Sequence, residues 1–404
     1  MEHLSGIQNA LLNLIKQSLW NQKAQIDVCD WEELETLARN QGVLTMLYPG
    51  AAKCRELIPA DVIKHWQRAM YSAVLRNEQL NEIQQGILCW MQENNIRVCV
   101  LKGLSCSRYY RHTDIRALGD IDLLVNKSDL PVIDQFLREL GYTVSTEEHQ
   151  FHIGYQNEDV VIEIHYGITE FPNSAAGKII SDITDRFLDN IQVVTTSKWT
   201  FPSLSEKDHA LTLLLHMERH LVERGIGLRQ LADWATFFAN LEKTDWIPEF
   251  LLILDACGLL TFAKVVTKVC VNYLGLVAHC VDWCLEAKEE LVDALICDVF
   301  RTGNVGMADT AGVGNIFGSR KLLGKGNQTR IAGLLGRLTK ITHKNYPFTK
   351  KYKVLLPIFW LYIPLRYWVR SLFGLRPKKD WIYIVRSSKH RKQLQNELNL
   401  YKKQ

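Results

Sequence analysis

The sequence has no long apolar run. Nowhere in its 404 residues is there a stretch of about 20 consecutive apolar residues, the length that a helix needs to cross a bilayer. The N-terminal segment MEHLSGIQNALLNLIKQSLW is amphipathic and lacks a continuous apolar core and a small-residue cleavage site, which predicts no cleaved leader. The ten cysteines are scattered and do not form a disulfide framework. These absences argue against an integral membrane protein and a disulfide-stapled secreted domain, and they predict a cytoplasmic protein.

The composition is that of an ordinary globular protein, but the charge is unevenly distributed. Hydrophobic residues make up 47% of the chain and charged residues 23%, and the length suffices for two or three domains. Residues 340–404 contain 16 Lys or Arg and two acidic residues, so this tail carries a charge of +14 and the rest of the chain −10. Such a split suggests that the tail meets an anionic surface.

Apolar periodicity divides the chain into five regions. Residues 1–95 read as an N-terminal helical lobe, 96–200 as a small α+β domain, and 201–302 as a C-terminal helical lobe. Residues 303–345 form a Gly-rich loop and 346–404 a basic, aromatic tail. The predicted fold class is therefore α+β, with a mixed sheet between helical regions.

The α+β domain contains several short apolar segments with the alternation typical of strands. A helix between them is expected to begin at a Ser128 cap, to run to Leu140 and to stop at Gly141. The predicted strands are Val98–Leu101, Gly119–Val125, Tyr142–Ser145, Gln150–Tyr155, Val160–His165 and Val193–Thr195.

Two carboxylates in the segment GDIDLLV are the strongest sign of chemistry. Asp120 and Asp122 are spaced i, i+2 on a predicted strand, so both side chains point to the same face. Two like charges so close are costly unless a cation lies between them, and a divalent metal is the usual one. Glu163 lies between two isoleucines on a later strand and is expected to complete the site.

The turn after the first strand is the expected phosphate contact. Gly103 allows the backbone to approach a phosphate, and Ser105 and Ser107 add hydroxyls. Magnesium prefers hard oxygen ligands and keeps substrate phosphates in its remaining positions. A carboxylate group of this kind can hold two such ions for an in-line displacement.

The run LKG…YY…R…GDIDLLV, followed by IEIH and a helical His…LADWA segment, resembles a bacterial family of uncharacterised nucleotidyltransferases in the DNA polymerase β superfamily. The resemblance covers about residues 95–245 and implies a nucleotidyltransferase palm over residues 96–200, two magnesium ions and an NTP donor, with ATP binding among the expectations. The superfamily residues carried over are Gly103, Ser105, Asp120, Asp122 and Glu163.

The chain departs from the superfamily pattern at the turn. The usual Gly-Ser pair is Gly103-Leu104-Ser105 here, and the gap to Asp120 is longer. Spare cations could meet the triphosphate instead of the serine, namely Lys102, Arg108, Arg111 and Arg116.

The predicted function is a magnesium-dependent transfer of a nucleoside monophosphate from NTP to an unknown acceptor, with release of pyrophosphate. Asp120 and Asp122 would hold the metals, and Glu163 would complete the second metal position and help to deprotonate the acceptor. The acceptor is a small molecule, a protein or RNA. Three alternatives stay open: a catalytically weak nucleotide-binding or regulatory protein, a toxin-type nucleotidyltransferase, and a membrane-surface enzyme of polysaccharide or lipid assembly.

Several histidines and one helical pair remain ambiguous in the sequence. His165 either orients Glu163 or the acceptor, or is a structural histidine. His216 and His220 have zinc-compatible i, i+4 spacing without an evident third ligand, and His216 could instead lie at the cleft. Arg229 and Asp233 are also spaced i, i+4, which predicts an ordinary helix pair or a lobe contact.

The apolar part of the tail, VLLPIFWLYIPL at 354–365, is too short to cross a bilayer and is broken by Pro357 and Pro364. Its aromatic and basic flanks are typical of the membrane interface, which predicts peripheral contact through 346–379 at the inner membrane surface. Packing on the helical lobe and contact with nucleic acid are the alternatives.

Overall fold

The computed structural model describes residues 4–22, 25–27, 30–145, 151–223, 225–277, 279–304, 339, 342–343, 346–372 and 390–402. The fold is α+β, as the sequence predicts. The chain forms two compact units, one of Met1–Thr310 with Leu394–Gln404 and the other of Ala311–Gln393. The five predicted domain boundaries stay predictions.

The N-terminal region of the first unit is helical, and its helices begin where capping residues occur. Ser5 accepts from the Gln8 amide in a capping box, and Asp30 accepts from two amides of the next helix. The helices are α1 (Gly6–Trp20), α2 (Trp31–Asn40), the short α3 (Leu47–Gly50) and α4 (Ala60–Glu93).

One seven-stranded mixed sheet follows, with the order β3-β4-β5-β2-β1-β7-β6. The central β2 pairs antiparallel with β1 and parallel with β5, and β1 also pairs parallel with β7. The strands are β1 (Val98–Leu101), β2 (Ile121–Val125), β3 (Thr143–Val144), β4 (His152–Gln156), β5 (Val161–His165), β6 (Gln192–Thr195) and β7 (Thr200–Ser203). Three short helices lie between strands, namely α5 (Gly103–Ser107), α6 (Leu130–Glu139) and α7 (Ala175–Thr184).

The alternation of β2 and β5 gives the sheet one apolar face. Ile121, Leu123, Ile162 and Ile164 are buried in one cluster with apolar residues of α4 and α6. Burial of this face fixes the register, because a slip of one residue would turn every side chain to the wrong side. The polar residues between them therefore point to the opposite face.

The C-terminal helices of the first unit are α8 (Glu206–Glu223), α9 (Leu228–Ala239), α10 (Ile247–Ala256), α11 (Leu260–Leu274) and α12 (Glu289–Thr302). Residues 394–402 pack against them. The Gln395 amide donates to the Leu221 carbonyl at 3.0 Å, and the Tyr401 hydroxyl donates to Glu218 at 2.9 Å.

The described part of the second unit is dominated by the helix α13 (Leu356–Leu372). In the described part of the chain, no helix has the length and apolar character needed to cross a membrane. Most of the predicted Gly-rich loop, residues 305–338, lies outside the described residues.

Two details of the sequence prediction are wrong. Ser128 does not cap α6, because a 3₁₀ turn over Lys127–Asp129 precedes the helix and the Ser128 hydroxyl donates to the neighbouring Asp129. The strand predicted from Gly119 begins at Ile121, so Asp120 lies just before β2. The strand β7 is an addition that its sequence, TFPS, did not indicate, since a proline occupies its middle.

Candidate active site

Lys102 directly follows β1, has an unusual backbone conformation and points its amine at a carboxylate. Its φ of 44° is one that residues other than glycine seldom adopt. The Nζ atom lies 2.7 Å from Asp122 Oδ1, and the two side chains are 16% and 2% exposed. Burial lowers the pKa of Lys102, but three surrounding carboxylates outweigh it and raise that pKa. The strained turn therefore presents a permanent cation.

The three predicted carboxylates meet at this cation. Asp122 pairs with Leu101 of β1 on one side and with Glu163 of β5 on the other, so the two acids are neighbours on one face. Asp120 precedes β2 on the same side. One oxygen of each of the three carboxylates lies within 4.8 Å of the other two. The structure thus brings Asp120, Asp122 and Glu163 together.

Mutual repulsion and burial divide the carboxylates into two kinds. The charge of Asp122, aided by burial, raises the pKa of Asp120 to about 6. Burial also opposes ionisation of Asp122, but Lys102 and His165 outweigh it and lower the pKa of Asp122. Burial also opposes ionisation of Glu163, but the hydrogen bond to His165, together with the charges of Lys102 and His165, outweighs it and lowers the pKa of Glu163. Asp122 and Glu163 are therefore held ionised, whereas Asp120 is harder to ionise because Asp122 repels its negative charge.

Two histidines support the acids from the neighbouring strands. His165 Nε2 lies 2.9 Å from Asp122 Oδ1 and 3.2 Å from Glu163 Oε2. His152 of β4 lies opposite His165 in the antiparallel pair, with its Nε2 3.6 Å from Glu163 Oε1. Burial lowers the pKa of His165, but its bonds to the two acids outweigh this and raise it. Of the two sequence interpretations of His165, the geometry supports orientation of Glu163.

Helices α8 and α9 contribute charged and polar groups near the acids. Burial, followed by the charge of Lys102, lowers the pKa of His216 well below its ordinary value, so this imidazole is neutral. Its Nε2 lies 3.1 Å from that of His220. Asp122 and burial raise the pKa of Asp120, and the charge of Arg229, near the start of α9, opposes this rise together with Lys102. His216 and Arg229 therefore lie within electrostatic reach of the site.

Other sequence-predicted phosphate contacts have different partners. The Ser105 hydroxyl is fully buried and donates to the Val100 carbonyl at 2.8 Å, and Ser107 donates to Leu104 at 3.1 Å. The backbone of Gly103 has a φ of +37° and leaves open space where a side chain would begin. The hydroxyls thus fix the turn internally, whereas the Gly103 backbone stays accessible.

Arg116 is held away from solvent by a partner in the C-terminal lobe. Its guanidinium donates to Asp233 of α9 in a two-pronged pair, at 2.7 and 2.8 Å, and Tyr110 donates to the same carboxylate. Asn77 Nδ2 donates to the Arg116 carbonyl, and Asn77 Oδ1 accepts from the Leu118 amide. Asp233 therefore binds Arg116 and not Arg229, which agrees with the predicted lobe contact and not with the ordinary helix pair.

The remaining cations of this segment lie outside the carboxylate group. The Arg108 guanidinium lies 4.6 Å from the centre of the Tyr109 ring, and Arg111 is exposed. As phosphate contacts, Arg108, Arg111 and Arg116 stay predictions.

The donor set fits a hard divalent cation. Carboxylate oxygens are the ligands that magnesium prefers in proteins, and three of them converge here. The raised pKa of Asp120, caused first by Asp122, shows that negative charge is in excess at this point. A cation between Asp120 and Asp122 would relieve that excess.

Sequence reasoning missed His152 and the position of Arg229. His152 reaches Glu163 only through the β4–β5 pairing, whose register the short segments did not define. The position of Arg229 is fixed by hydrogen bonds to Gln41, a residue distant in sequence. The Arg229 amide donates to the Gln41 carbonyl, and the Leu228 amide donates to the Gln41 side chain. Nothing in the local pattern around either residue indicates the carboxylates.

A mixed sheet that gathers three acids beside a lysine is typical of proteins that bind a metal-complexed phosphate substrate. Residues 27–275 match a family described as uncharacterised nucleotidyltransferases. The match spans more than half of the chain, so the chain belongs to this family. A search of curated proteins gave no match. The family prediction is confirmed, and placement in the DNA polymerase β superfamily stays a prediction.

Proposed function

We propose that the protein is a magnesium-dependent nucleotidyltransferase that moves a nucleoside monophosphate from an NTP such as ATP to an acceptor and releases pyrophosphate. The observation that carries the proposal is the convergence of Asp120, Asp122 and Glu163 beside Lys102. Family membership supports transfer of a nucleotidyl group. Bound divalent cations would neutralise the phosphates and orient the displacement.

The residues of the chain divide the remaining work. Lys102 and Arg229 are cations near the acids and are suited to the β- and γ-phosphates of the donor. The accessible Gly103 backbone adds an amide to this contact. Glu163, 25% exposed, takes the acceptor's proton, while His165 holds its orientation. Asp120 and Asp122 hold the cations.

The test measures nucleotide binding and label transfer separately. We expect Asp120→Asn/Asp122→Asn to abolish the rise in melting temperature that magnesium with ATP or CTP gives the wild type. In a cell extract with α-labelled NTP, Glu163→Gln should lower label transfer by about 100-fold or more. Asp159→Asn, which changes an exposed acid in the turn between β4 and β5, is the matched control and should retain both signals.

The experiment also separates the main rival. A regulatory protein on the same fold would bind magnesium-NTP but transfer no label. Full binding of magnesium-NTP by Asp120→Asn/Asp122→Asn would contradict the assigned metal ligands.

We also propose that α13 contacts an anionic membrane surface. Three apolar side chains of α13 and one just before it form a stripe at helical spacing, and each is 56–87% exposed: Val354, Ile358, Leu361 and Leu365. The opposite side is packed within the second unit, where Phe359 contacts Tyr346 and the Trp360 indole donates to Thr339.

Charge and aromatic content support a lipid surface as the partner of this stripe. Lys351, Lys353 and Arg366 are exposed beside it, and residues 346–372 contain no acidic residue. Tyr352 and Tyr362 are also exposed, and tyrosine is enriched where membrane meets water. Basic residues near anionic lipid each contribute about 1 kcal/mol.

A further inference from the structure

A second group of potential metal ligands shares Glu163 with the three carboxylates. One ligand atom from each of His152, Glu163 and His165 lies within 4.8 Å of the others. The two histidines face each other across the antiparallel β4–β5 pair. The strand pairing thus places two imidazoles and a carboxylate at one point of the sheet.

The spacing of these atoms matches the ligands of one cation. His165 Nε2 lies 3.2 Å from Glu163 Oε2, and His152 Nε2 lies 3.6 Å from Glu163 Oε1. Bonds of about 2.0–2.2 Å place adjacent ligand atoms of a four-coordinate ion about 3–4 Å apart. Binding would therefore require little movement, but the cation would replace the proton on His165 Nε2, which now contacts Asp122 Oδ1 at 2.9 Å, and release it to solvent.

The two ends of the cluster differ in chemistry. Lys102 binds Asp122 Oδ1 at 2.7 Å, so the end beside Asp120 and Asp122 carries oxygen donors and the lysine. The end beyond Glu163 carries imidazole nitrogens. Imidazole suits transition metals, whereas magnesium favours an all-oxygen set.

We propose that His152, Glu163 and His165 form a preformed site for a divalent transition-metal cation, distinct from the magnesium position at Asp120 and Asp122. The proposal rests on the proposed function only in that Glu163 serves both positions. Access is from the side of Glu163, because the two histidines are buried. Occupancy would fix the orientation of Glu163 before the nucleotide arrives.

The test uses the full chain without nucleotide and Mn²⁺ as the probe. Pulsed electron paramagnetic resonance should detect nitrogen coupled to bound Mn²⁺ in the wild type. His152→Gln should remove part of this coupling and weaken Mn²⁺ binding by about 10-fold or more. His216→Gln changes an imidazole of α8 instead and should leave the coupling unchanged.

Two further measurements keep the result decisive. Labelling the wild type with ¹⁵N-histidine should change the coupling frequency, which tests ligation even if His152→Gln does not fold. Asp120→Asn should lose label transfer but keep the nitrogen coupling, so failure of the proposed function and failure of this site are distinguishable.

Three outcomes would overturn the site. They are bound Mn²⁺ without nitrogen coupling, coupling that is undiminished in folded His152→Gln, and coupling lost in His216→Gln. In these cases the histidines serve only as hydrogen-bond donors to Glu163 and Asp122.

Discussion

At the scale of the residue, Lys102 is the cation that lies nearest to the buried Asp122, at 2.7 Å. We expect Lys102→Met to lower the free energy of unfolding by about 3 kcal/mol at pH 8, because it leaves buried carboxylates without their cation. Thermal or denaturant unfolding measures the change. Added magnesium should restore much of the loss, since a divalent cation replaces the missing charge.

The pH dependence of this loss has a defined sign. Lys102 helps to lower the pKa of Asp122 and Glu163, so their stabilisation is present above the ordinary carboxyl pKa of about 4. This stabilisation is lost as the pH falls through the lowered pKa values. The free energies of unfolding of the wild type and Lys102→Met should then converge. Lys198→Met, which removes an exposed pair with Glu78, is the control. An equal effect in both variants would contradict the role of Lys102.

The contribution of Glu218 to the free energy of unfolding is expected to have the opposite pH dependence. Burial, aided by Glu223, raises the pKa of this carboxyl to about 7, although it accepts a hydrogen bond from Tyr401. The unfolded chain loses its proton first, so stability falls between about pH 4.5 and 7. Glu218→Gln should remove this fall and exceed the wild type by up to about 3 kcal/mol at pH 8. Parallel unfolding curves of the two proteins across this pH range would refute it.

At the scale of elements, the contact between α1 and α3 depends on a glycine. A Cβ atom at Gly50 would lie 2.3 Å from the Leu14 carbonyl oxygen. Gly50→Ala should therefore push the helices apart and destabilise the first unit by about 3 kcal/mol.

Gly86 offers the matched control in the middle of α4. A Cβ there meets nothing within 4 Å, so Gly86→Ala should stabilise the protein by about 0.5–1 kcal/mol through helix propensity. Chemical denaturation of both variants gives the comparison. If both variants changed the free energy of unfolding by similar amounts in the same direction, the close approach of α1 to α3 would not require a glycine at position 50.

Elements with strong local signals could be predicted from the sequence. The start of α2 at Asp30 and the long helix from Ala60 follow from capping and apolar periodicity. The strand β7 could not be found, because TFPS has one buried aromatic and its pairing with β1 is non-local. Strand propensity reflects the local sequence, whereas the pairing of a strand in a sheet depends on residues that can be distant in sequence.

The same distinction applies to the site. Asp120, Asp122 and Glu163 could be recognised because a strand alternates its faces and an acid between isoleucines must turn away from the core. The partner of Arg116 could not, since Asp233 lies in another helix and becomes its neighbour only after folding. Sequence patterns identified the ligands, and tertiary packing determined which cations are already paired.

At the scale of the whole molecule, the exposed stripe of α13 predicts membrane recruitment. The full chain should float with vesicles that contain anionic lipid and remain behind with neutral ones. Ile358→Glu/Leu361→Glu should abolish flotation. Leu252→Glu/Val277→Glu changes equally exposed apolar residues of the first unit and should float like the wild type.

Other outcomes of this experiment identify other partners. A dimer that dissociates in Ile358→Glu/Leu361→Glu, without flotation of the wild type, would assign the stripe to a second copy. Binding to RNA without flotation would assign the basic residues to nucleic acid. Either result overturns the membrane proposal.

The parallel pairing of β2 with β5 has a consequence for how the protein folds. The β4–β5 pair is local, whereas β5 reaches β2 only after the chain closes a loop through α6. Such closure is slow because its entropy cost comes before the contact energy. Here the closing step also sets Glu163 beside Asp122, so we expect repulsion between the two carboxylates to slow it further. Divalent cations should therefore speed refolding, because they would offset the repulsion that the carboxylate group adds to its own assembly.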